Sequence, residues 1–147
     1  MSKIGFASDH AGFELKEFIK QFVEQKGYAC IDFGCYTAGN CDYPDFAHTL
    51  AVAVESRKVE LGIALCGSGN GIGMTLNKHQ GIRAAICWNK EMARVTRSHN
   101  DANILVLPAR FISQQESEDI INIFLNTPFS GGRHQQRIEK IPITTPR

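Results

Sequence analysis

Five short apolar runs, separated by stretches with helical periodicity, constrain the fold of this chain more than any other feature. The runs occupy residues 4–7, 29–33, 61–65, 82–88 and 102–107, and they are apolar at most successive positions. Strands that are apolar on both faces are typical of parallel sheets covered by helices. Parallel strands need right-handed crossover connections, so the pattern predicts a doubly wound, three-layer α/β architecture.

Helical patterns fill the segments between these runs. Apolar side chains recur at helical spacing after the first and second runs, at Leu15, Phe18, Ile19, Phe22 and Val23 and at Ala47, Leu50, Ala51 and Val54. Pro44 is placed to open the second of these helices, and Asn89 and Ser113 are placed to cap two later ones. No linker or repeat interrupts the series, so we predict one Rossmann-like domain over residues 1–147 with a five-stranded parallel sheet.

Length and charge exclude several classes of protein. A chain of 147 residues with 43% hydrophobic and 21% charged residues can bury a substantial core. The formal net charge of +1 gives no general attraction to nucleic acid or to anionic membranes, so any anion binding must be local. The N-terminal apolar stretch is too short for a secretory signal, and no run approaches the roughly 20 residues of a membrane span. We expect a cytoplasmic location.

Cysteine and histidine spacing argues against disulfides and structural metal. The five cysteines form no C-x-x-C pair, and their odd number is not that of a complete disulfide framework. The five histidines are scattered, at positions 10, 48, 79, 99 and 134, without zinc-ligand spacing. We therefore predict no metal site and treat most cysteines as small buried hydrophobic residues.

A glycine-rich loop follows the third run. The segment LGIALCGSGNGIGM at 61–74 ends an apolar strand in Cys66 and continues with glycine at 67, 69, 71 and 73. A dinucleotide fingerprint would need glycine where Ile72 or Met74 stands, and the lysine of a P-loop is also missing from the required position. The remaining interpretations are a thiol placed beside anion-binding N–H groups and a flexible connection without a ligand.

Ligands of doubly wound sheets bind beyond the carboxyl ends of the strands. Strand one ends in SDH at 8–10, strand three in CGS at 66–68 and strand five near Arg110, while RSHND at 97–101 closes the fourth helix. We expect these four clusters to converge at one edge of the sheet. The alternative is structural, with Asp9 capping the first helix and His99 contacting the C-terminal dipole of the fourth.

Seven segments of the chain resemble those of type B ribose-5-phosphate isomerases. They stand in the family's order and span nearly the whole chain: SDHAG at 8–12, DYPD at 42–45, CGSG at 66–69, GIRA at 81–84, RSHNDAN at 97–103, TPF at 127–129 and GRHQQR at 132–137. The wider family includes allose-6-phosphate and galactose-6-phosphate isomerases. The resemblance implies aldose–ketose isomerisation of a sugar phosphate through a cis-enediolate, without cofactor or metal. Ribose 5-phosphate, and with it the pentose phosphate pathway, is the default substrate.

The resemblance implies that Cys66 is the base. An anionic sulfur beside N–H donors can take the C2 proton of the sugar. Relatives that lack this cysteine carry an acidic base at the position of Ile72, which cannot do that work here. A loop of five residues provides backbone N–H groups and the Ser68 hydroxyl to the enediolate oxygens: Gly67, Ser68, Gly69, Asn70 and Gly71. Each such donor stabilises the transition state by about 3 kcal/mol. Asn70 has no assigned role beyond this loop.

Further roles follow from the same resemblance. His99 is similar to the acid/base that opens the furanose ring, a task that suits imidazole near neutral pH. Asn100 corresponds to a hydrogen-bonding partner of a sugar oxygen, Asp9 to a contact of the sugar hydroxyls and His10 to a neighbour of the phosphate. Tyr43 borders the pocket or, alternatively, is only a packed aromatic residue.

The phosphate contacts implied by the resemblance are arginines. Arg133 and Arg137 are four residues apart, which places them on one face if the segment is helical, and Arg110 resembles a third contact. Without the resemblance, this basic segment would be a solvated surface. The resemblance also implies a homodimer, with a homotetramer as the larger alternative, in which His99, Asn100 and Arg110 reach the partner's pocket.

Two other classes of function remain open. A non-catalytic sugar-phosphate sensor would keep the arginines but lack the base or the ring-opening histidine, whereas Cys66 and His99 are both present. A nucleotide-binding regulatory domain of flavodoxin-like architecture would bind a mononucleotide tightly without isomerase activity.

Overall fold

In the computed structural model, which describes residues 2–143, β-strands and α-helices alternate up to the last helix. The elements are β1 (Lys3–Ser8), α1 (Phe13–Gln25), β2 (Ala29–Asp32), α2 (Tyr43–Glu55), β3 (Leu61–Cys66), α3 (Asn70–Leu76), β4 (Ala84–Ile86), α4 (Lys90–Asn100), β5 (Ile104–Pro108), α5 (Gln114–Asn126) and α6 (Arg133–Ile138). The five predicted strands are therefore confirmed.

One sheet contains all five strands, in the order β2-β1-β3-β5-β4, and every neighbouring pair is parallel. One hydrophobic cluster joins one face of the sheet to α1, α4 and α5, and a second joins the other face to α2 and α3. The predicted three-layer, doubly wound Rossmann-like architecture is confirmed. The carboxyl ends of the central strands coincide, since Ser8 pairs with Leu65 and Cys66 with Pro108.

Side-chain size differs between the two faces of the sheet. Large side chains such as Phe6 and Leu65 pack toward α1 and α5, whereas the central strands present Ala7, Ala64 and two glycines toward α2. A Cβ at Gly5 would lie only 2.7 Å from the Cδ1 atom of Leu50, so the small residues allow α2 to approach the sheet closely. This approach brings the first turn of α2 beside the end of β3.

Strand boundaries depart most from prediction at β4, where residues 82–88 were expected and only Ala84–Ile86 are formed. The Arg83 N–H donates to the Asn103 side chain at 2.8 Å, and the Asn77 amide bonds both backbone groups of Ala84 at 2.9 Å. These side chains replace ladder hydrogen bonds at the edge strand, so the regular pairing is short.

The predicted helix starts are confirmed. The Asn89 Oδ1 atom accepts the Met92 N–H at 2.9 Å, and Ser113 forms a reciprocal capping box with Glu116. Pro44 lies in the first turn of α2.

Candidate active site

Cys66 lies at the carboxyl end of β3, where its side chain is only 5% exposed. Pairing between β3 and β5 continues past both strands, because the Cys66 carbonyl accepts the Ala109 N–H and the Gly67 carbonyl accepts the Arg110 N–H, each at 3.0 Å. The thiol faces a cavity of about 460 Å³ lined by Asp9, Tyr43, Cys66, Gly67, Ser68, Gly71, Arg110 and Phe111. Six predicted site residues therefore line one cavity with the predicted base.

Arg110 belongs to this cavity within its own chain. A Cβ at Gly67 would lie 3.1 Å from a terminal nitrogen of the Arg110 guanidinium. The backbone N–H of Arg110 donates to the Gly67 carbonyl, and the guanidinium lies against the same glycine, so Arg110 stands beside Cys66 of its own chain. A contact of Arg110 with a partner's pocket, which the resemblance implies, stays a prediction.

The glycine-rich loop is held by its own hydrogen bonds. Gly69 has a φ of 81°, a left-handed conformation that favours glycine, and it is the N-cap of α3. The Ser68 Oγ atom accepts the Asn70 N–H at 3.2 Å, so this hydroxyl also shapes the turn. Gly69 and Asn70 are not among the residues that line the cavity, and a Cβ at Gly69 would meet Val106 at 3.1 Å.

Asp9 is 7% exposed and serves the first turn as well as the cavity. Its Oδ1 atom accepts the Gly12 N–H at 3.1 Å just before α1. Asp9 thus has a structural role at the start of the first helix and also lies in the cavity wall. Asp9 and Tyr43 also line a neighbouring cavity of about 500 Å³ together with His10 and residues 41–45. The His10 Nδ1 atom accepts the Cys41 N–H at 3.4 Å, which fixes the ring at the border of this second cavity.

His99 and Asn100 do not join these residues. They end α4, which leads into the first residue of β5, and the Asn100 carbonyl accepts the Arg83 Nε–H at 3.0 Å at the amino edge of the sheet. β5 has five residues between the two edges, and their four steps span about 13 Å of extended chain. The expected convergence of four clusters at one edge is therefore wrong within a single chain.

Histidine and arginine side chains form a separate exposed cluster at α4 and α6. The rings of His99 and His134 stack with centroids 4.4 Å apart and an interplanar angle of 10°. Desolvation and the neighbouring His99, Arg133 and Arg137 lower the pKa of His134. The segment with Arg133 and Arg137 is helical, so both side chains belong to one helix. Their charges lie near His99 rather than near Cys66.

Sequence reasoning missed one residue of the cavity and one buried lysine outside it. Phe111 lines the main cavity and packs on Trp88, with ring centroids 5.5 Å apart. Its position directly after Arg110, close to a strand end, is a sequence feature from which its place at the cavity could be predicted. Lys16 is fully buried, and its Nζ atom donates to Asp32 at 2.7 Å and to the Cys35 carbonyl. This contact supports the turn that precedes the second cavity, but a lysine in a helical pattern gives no signal of burial.

The described part of the chain contains no group of three or more His, Cys, Asp or Glu residues arranged to hold a metal ion. Within residues 2–143, none of the helices has the length and apolar character needed to cross a membrane.

Comparison with known proteins identifies the family of this chain. A family model described as Ribose/Galactose Isomerase matches residues 4–141. Ribose-5-phosphate isomerase B of Escherichia coli is 40% identical over 141 residues, which cover 96% of this chain and 95% of that protein. The crystal structure of a ribose 5-phosphate isomerase from Thermotoga maritima superposes with a TM-score of 0.94 at 48% identity, covering 96% of this chain and 97% of the other.

A further solved structure carries a ligand. Ribose-5-phosphate isomerase B of Mycoplasma genitalium with bound ribulose-5-phosphate has a TM-score of 0.90 and 41% identity, covering 95% of this chain and 93% of that one. The fold and the sequence are those of a sugar-phosphate isomerase. The chain belongs to the ribose/galactose isomerase family.

Proposed function

We propose that this chain interconverts ribose 5-phosphate and ribulose 5-phosphate by proton transfer through a cis-enediolate, with Cys66 as the base. The observation that carries the proposal is the thiol at the end of β3, which faces a cavity shared with Asp9, Ser68 and Arg110. Similarity to isomerases B over nearly the full chain, one of them solved with ribulose-5-phosphate, supports the same substrate. A cytoplasmic location and a place in the pentose phosphate pathway are part of this proposal.

The cavity provides the groups that this reaction needs. The Cys66 sulfur, as thiolate, takes the proton from C2 and returns it to C1, and the hydroxyl proton of O2 moves to O1. The backbone N–H groups of the 67–71 loop stabilise the negative charge that develops on these oxygens. The Asp9 carboxylate accepts hydrogen bonds from sugar hydroxyls. Arg110 provides a guanidinium for the phosphate from the same chain.

Ring opening and the remaining phosphate contacts require a second copy of the chain in this proposal. His99, Asn100, Arg133 and Arg137 are exposed and lie apart from Cys66. The cavity beside Asp9 also contains Asp42 and Asp45, so its charge is complementary to the cationic cluster on α4 and α6. A twofold homodimer would bring each cationic cluster to the partner's cavity and complete two equivalent sites. A homotetramer built from two such dimers is compatible with the same contacts.

The first experiment measures conversion of ribose 5-phosphate to ribulose 5-phosphate by the purified chain without added metal. Cys66→Ala should lower kcat by about 10²–10⁴-fold, the usual contribution of general base catalysis. Cys30→Ala is the matched control, because the Cys30 thiol lies in β2, donates to the Lys20 carbonyl at 3.9 Å and is remote from the cavity. Burial and the nearby Glu24 raise the pKa of Cys30 to about 11, so this thiol stays protonated at neutral pH.

Competing substrates decide the sugar. Allose 6-phosphate and galactose 6-phosphate are assayed beside the pentose under the same conditions. Turnover of a hexose phosphate alone would keep the mechanism and change the substrate. Binding of all three sugars without turnover would refute the isomerase and favour a sugar-phosphate sensor.

Subunit mixing tests the shared site. Cys66→Ala and His99→Asn chains are inactive alone in this proposal, but a mixed dimer contains one complete site. Random exchange of equal amounts should restore about a quarter of wild-type activity, since half of the dimers are mixed and half of their sites are intact. If activity did not recover after confirmed subunit exchange, the two-chain site would be contradicted. The role of Cys66 would not be affected, because the first assay tests it separately.

A further inference from the structure

Three side chains outside the catalytic cavities form a continuous hydrogen-bonded chain. The His48 Nδ1 and His79 Nε2 atoms lie 2.7 Å apart, and the His79 Nδ1 atom lies 3.0 Å from the Glu55 Oε1 atom. His48 and Glu55 belong to α2, and His79 follows α3. None of the three lines the cavities beside Cys66 and His10.

The Glu55 carboxylate fixes the orientation of the His79 ring. An ionised carboxylate only accepts hydrogen bonds, so the Nδ1 atom of His79 carries the proton. In the tautomer that carries its proton on Nδ1 alone, the Nε2 atom is an acceptor whose lone pair points toward His48. In metal sites, a ligating histidine usually donates the N–H of one ring nitrogen to a carboxylate, and its other ring nitrogen binds the ion.

The backbone around these side chains is well supported. His48 and Glu55 are seven residues apart, about two helical turns, so both lie on the same face of α2. The His79 N–H donates to the Leu76 carbonyl, and the His79 carbonyl accepts the Ile82 N–H, both at 3.1 Å. The other Glu55 oxygen accepts the Gly81 N–H at 2.9 Å. The carboxylate is thus tied to the same turn as the histidine that it orients.

We propose that His48 and His79 form a binding site for a divalent transition-metal ion of the zinc and nickel class, with Glu55 as the positioning residue. Imidazole nitrogens bind such ions at about 2.0–2.1 Å, which places two nitrogens of a tetrahedral site about 3.3 Å apart. The two nitrogens are now 2.7 Å apart, so they must separate by about 0.6 Å, and the rings must turn until both nitrogens face the ion. In the metal-bound form, the His48 proton is carried on Nε2 and the His79 proton on Nδ1, so one lone pair from each ring faces the ion.

The protein supplies two ligands, and water fills the other positions. This agrees with the described residues, where no group of three or more His, Cys, Asp or Glu surrounds a common metal position. His48 is exposed and the His79 side chain is 19% exposed, so the ion can enter from solvent. Because the ligands connect α2 with the turn after α3, a bound ion also links the two helices of that face of the sheet.

Titration calorimetry with Ni²⁺ tests the site in the full chain. We expect one ion per chain, weaker binding on acidification because protons compete for imidazole, and a higher melting temperature when Ni²⁺ is present. Glu55→Ala should weaken binding by about tenfold or more. His48→Gln should weaken it further, and this exposed side chain can be replaced without disturbing the turn at His79. His134→Gln, which removes an imidazole from the other histidine pair, is the matched control and should bind as the wild type does.

Co²⁺ absorption separates this site from the thiols. Binding by imidazole and water gives weak visible bands, whereas binding by a cysteine thiolate adds an intense charge-transfer band. Unchanged affinity in His48→Gln, or a thiolate band that disappears in a cysteine variant, would overturn the proposal. Loss of Ni²⁺ binding in His48→Gln with retention in His134→Gln would establish it, whatever the catalytic activity of the chain.

Discussion

Replacing Gly71 by alanine should disturb the cavity beside Cys66 through Tyr43. A Cβ at Gly71 would lie 2.4 Å from the Cζ atom and 2.6 Å from the hydroxyl oxygen of Tyr43. Carbon atoms in contact are normally at least about 3.5 Å apart, so the ring has to move by about 1 Å or more. Because Tyr43 lines both cavities, this movement changes the wall of the cavity in which we propose that the substrate binds.

Gly73 offers a matched control in the same helix. A Cβ there would lie 3.6 Å from the nearest atom of Ile86, which is ordinary contact. Both substitutions gain helix propensity of about 0.8–1 kcal/mol, whereas only Gly71→Ala carries an overpacking cost of about 1–3 kcal/mol. We therefore expect Gly73→Ala to be more stable than the wild type and Gly71→Ala to be less stable than Gly73→Ala by about 1–3 kcal/mol.

Equilibrium urea unfolding measures this difference, and kcat/KM for ribose 5-phosphate measures its effect on the site. A displacement of about 1 Å near reacting groups lowers kcat/KM by about 10–100-fold, so Gly71→Ala should be impaired and Gly73→Ala should not. In a Tyr43→Ala background the overlap disappears, so Gly71→Ala should then cost less stability than in the wild type. Equal stability and activity of the two alanine variants would refute the contact on which this reasoning rests.

Three further predictions concern charge and capping. Asp32→Asn should destabilise the fold by about 3–5 kcal/mol in urea unfolding, because it leaves the fully buried Lys16 without its carboxylate. Burial acts to raise the pKa of Asp32, but its hydrogen bonds, first of all the one from Lys16, lower it below its ordinary value. The stability that this carboxylate contributes is therefore complete above its ordinary pKa and is lost as the pH falls through the lowered pKa. An acid titration of Asp32→Asn should not show this loss. Desolvation and the neighbouring His99 lower the pKa of His134, so the folded state resists protonation of this ring. Stability therefore falls on acidification below the ordinary histidine pKa. NMR titration should show the pKa of His134 rising in His99→Asn. Asn89→Ala removes the bond to the Met92 N–H and should lower the free energy of unfolding by about 1 kcal/mol, measured in urea against the wild type.

Local features of the fold could be predicted because they depend on neighbours in sequence. The apolar runs, the caps at Asn89 and Ser113 and the position of Pro44 each follow from spacing within about ten residues. Strand order could not be predicted in the same way. β5 inserts between β3 and β4, and nothing in the periodicity of residues 82–107 says which of the two strands lies next to β3.

Part of the site was predictable for a related reason, since residues after a parallel strand lie at its carboxyl end. This rule brings Asp9, Cys66 and Arg110 to one cavity, and it also applies to Phe111, which we had not selected. The burial of Lys16 depends on Asp32 and Cys35, which are 16 and 19 residues away, so its helical pattern alone does not reveal it.

The same rule explains why His99 could not join them. A helix that precedes a parallel strand must end at the amino edge of the sheet, because the chain enters the strand there. The RSHND segment at 97–101 closes α4 directly before β5, so no adjustment of loops within one chain brings His99 to Cys66 at the other end of the strands. If both residues act on one sugar, as the family likeness implies, the second must come from another molecule. In the two-chain site proposed above, this connectivity is the reason why His99 would come from the partner.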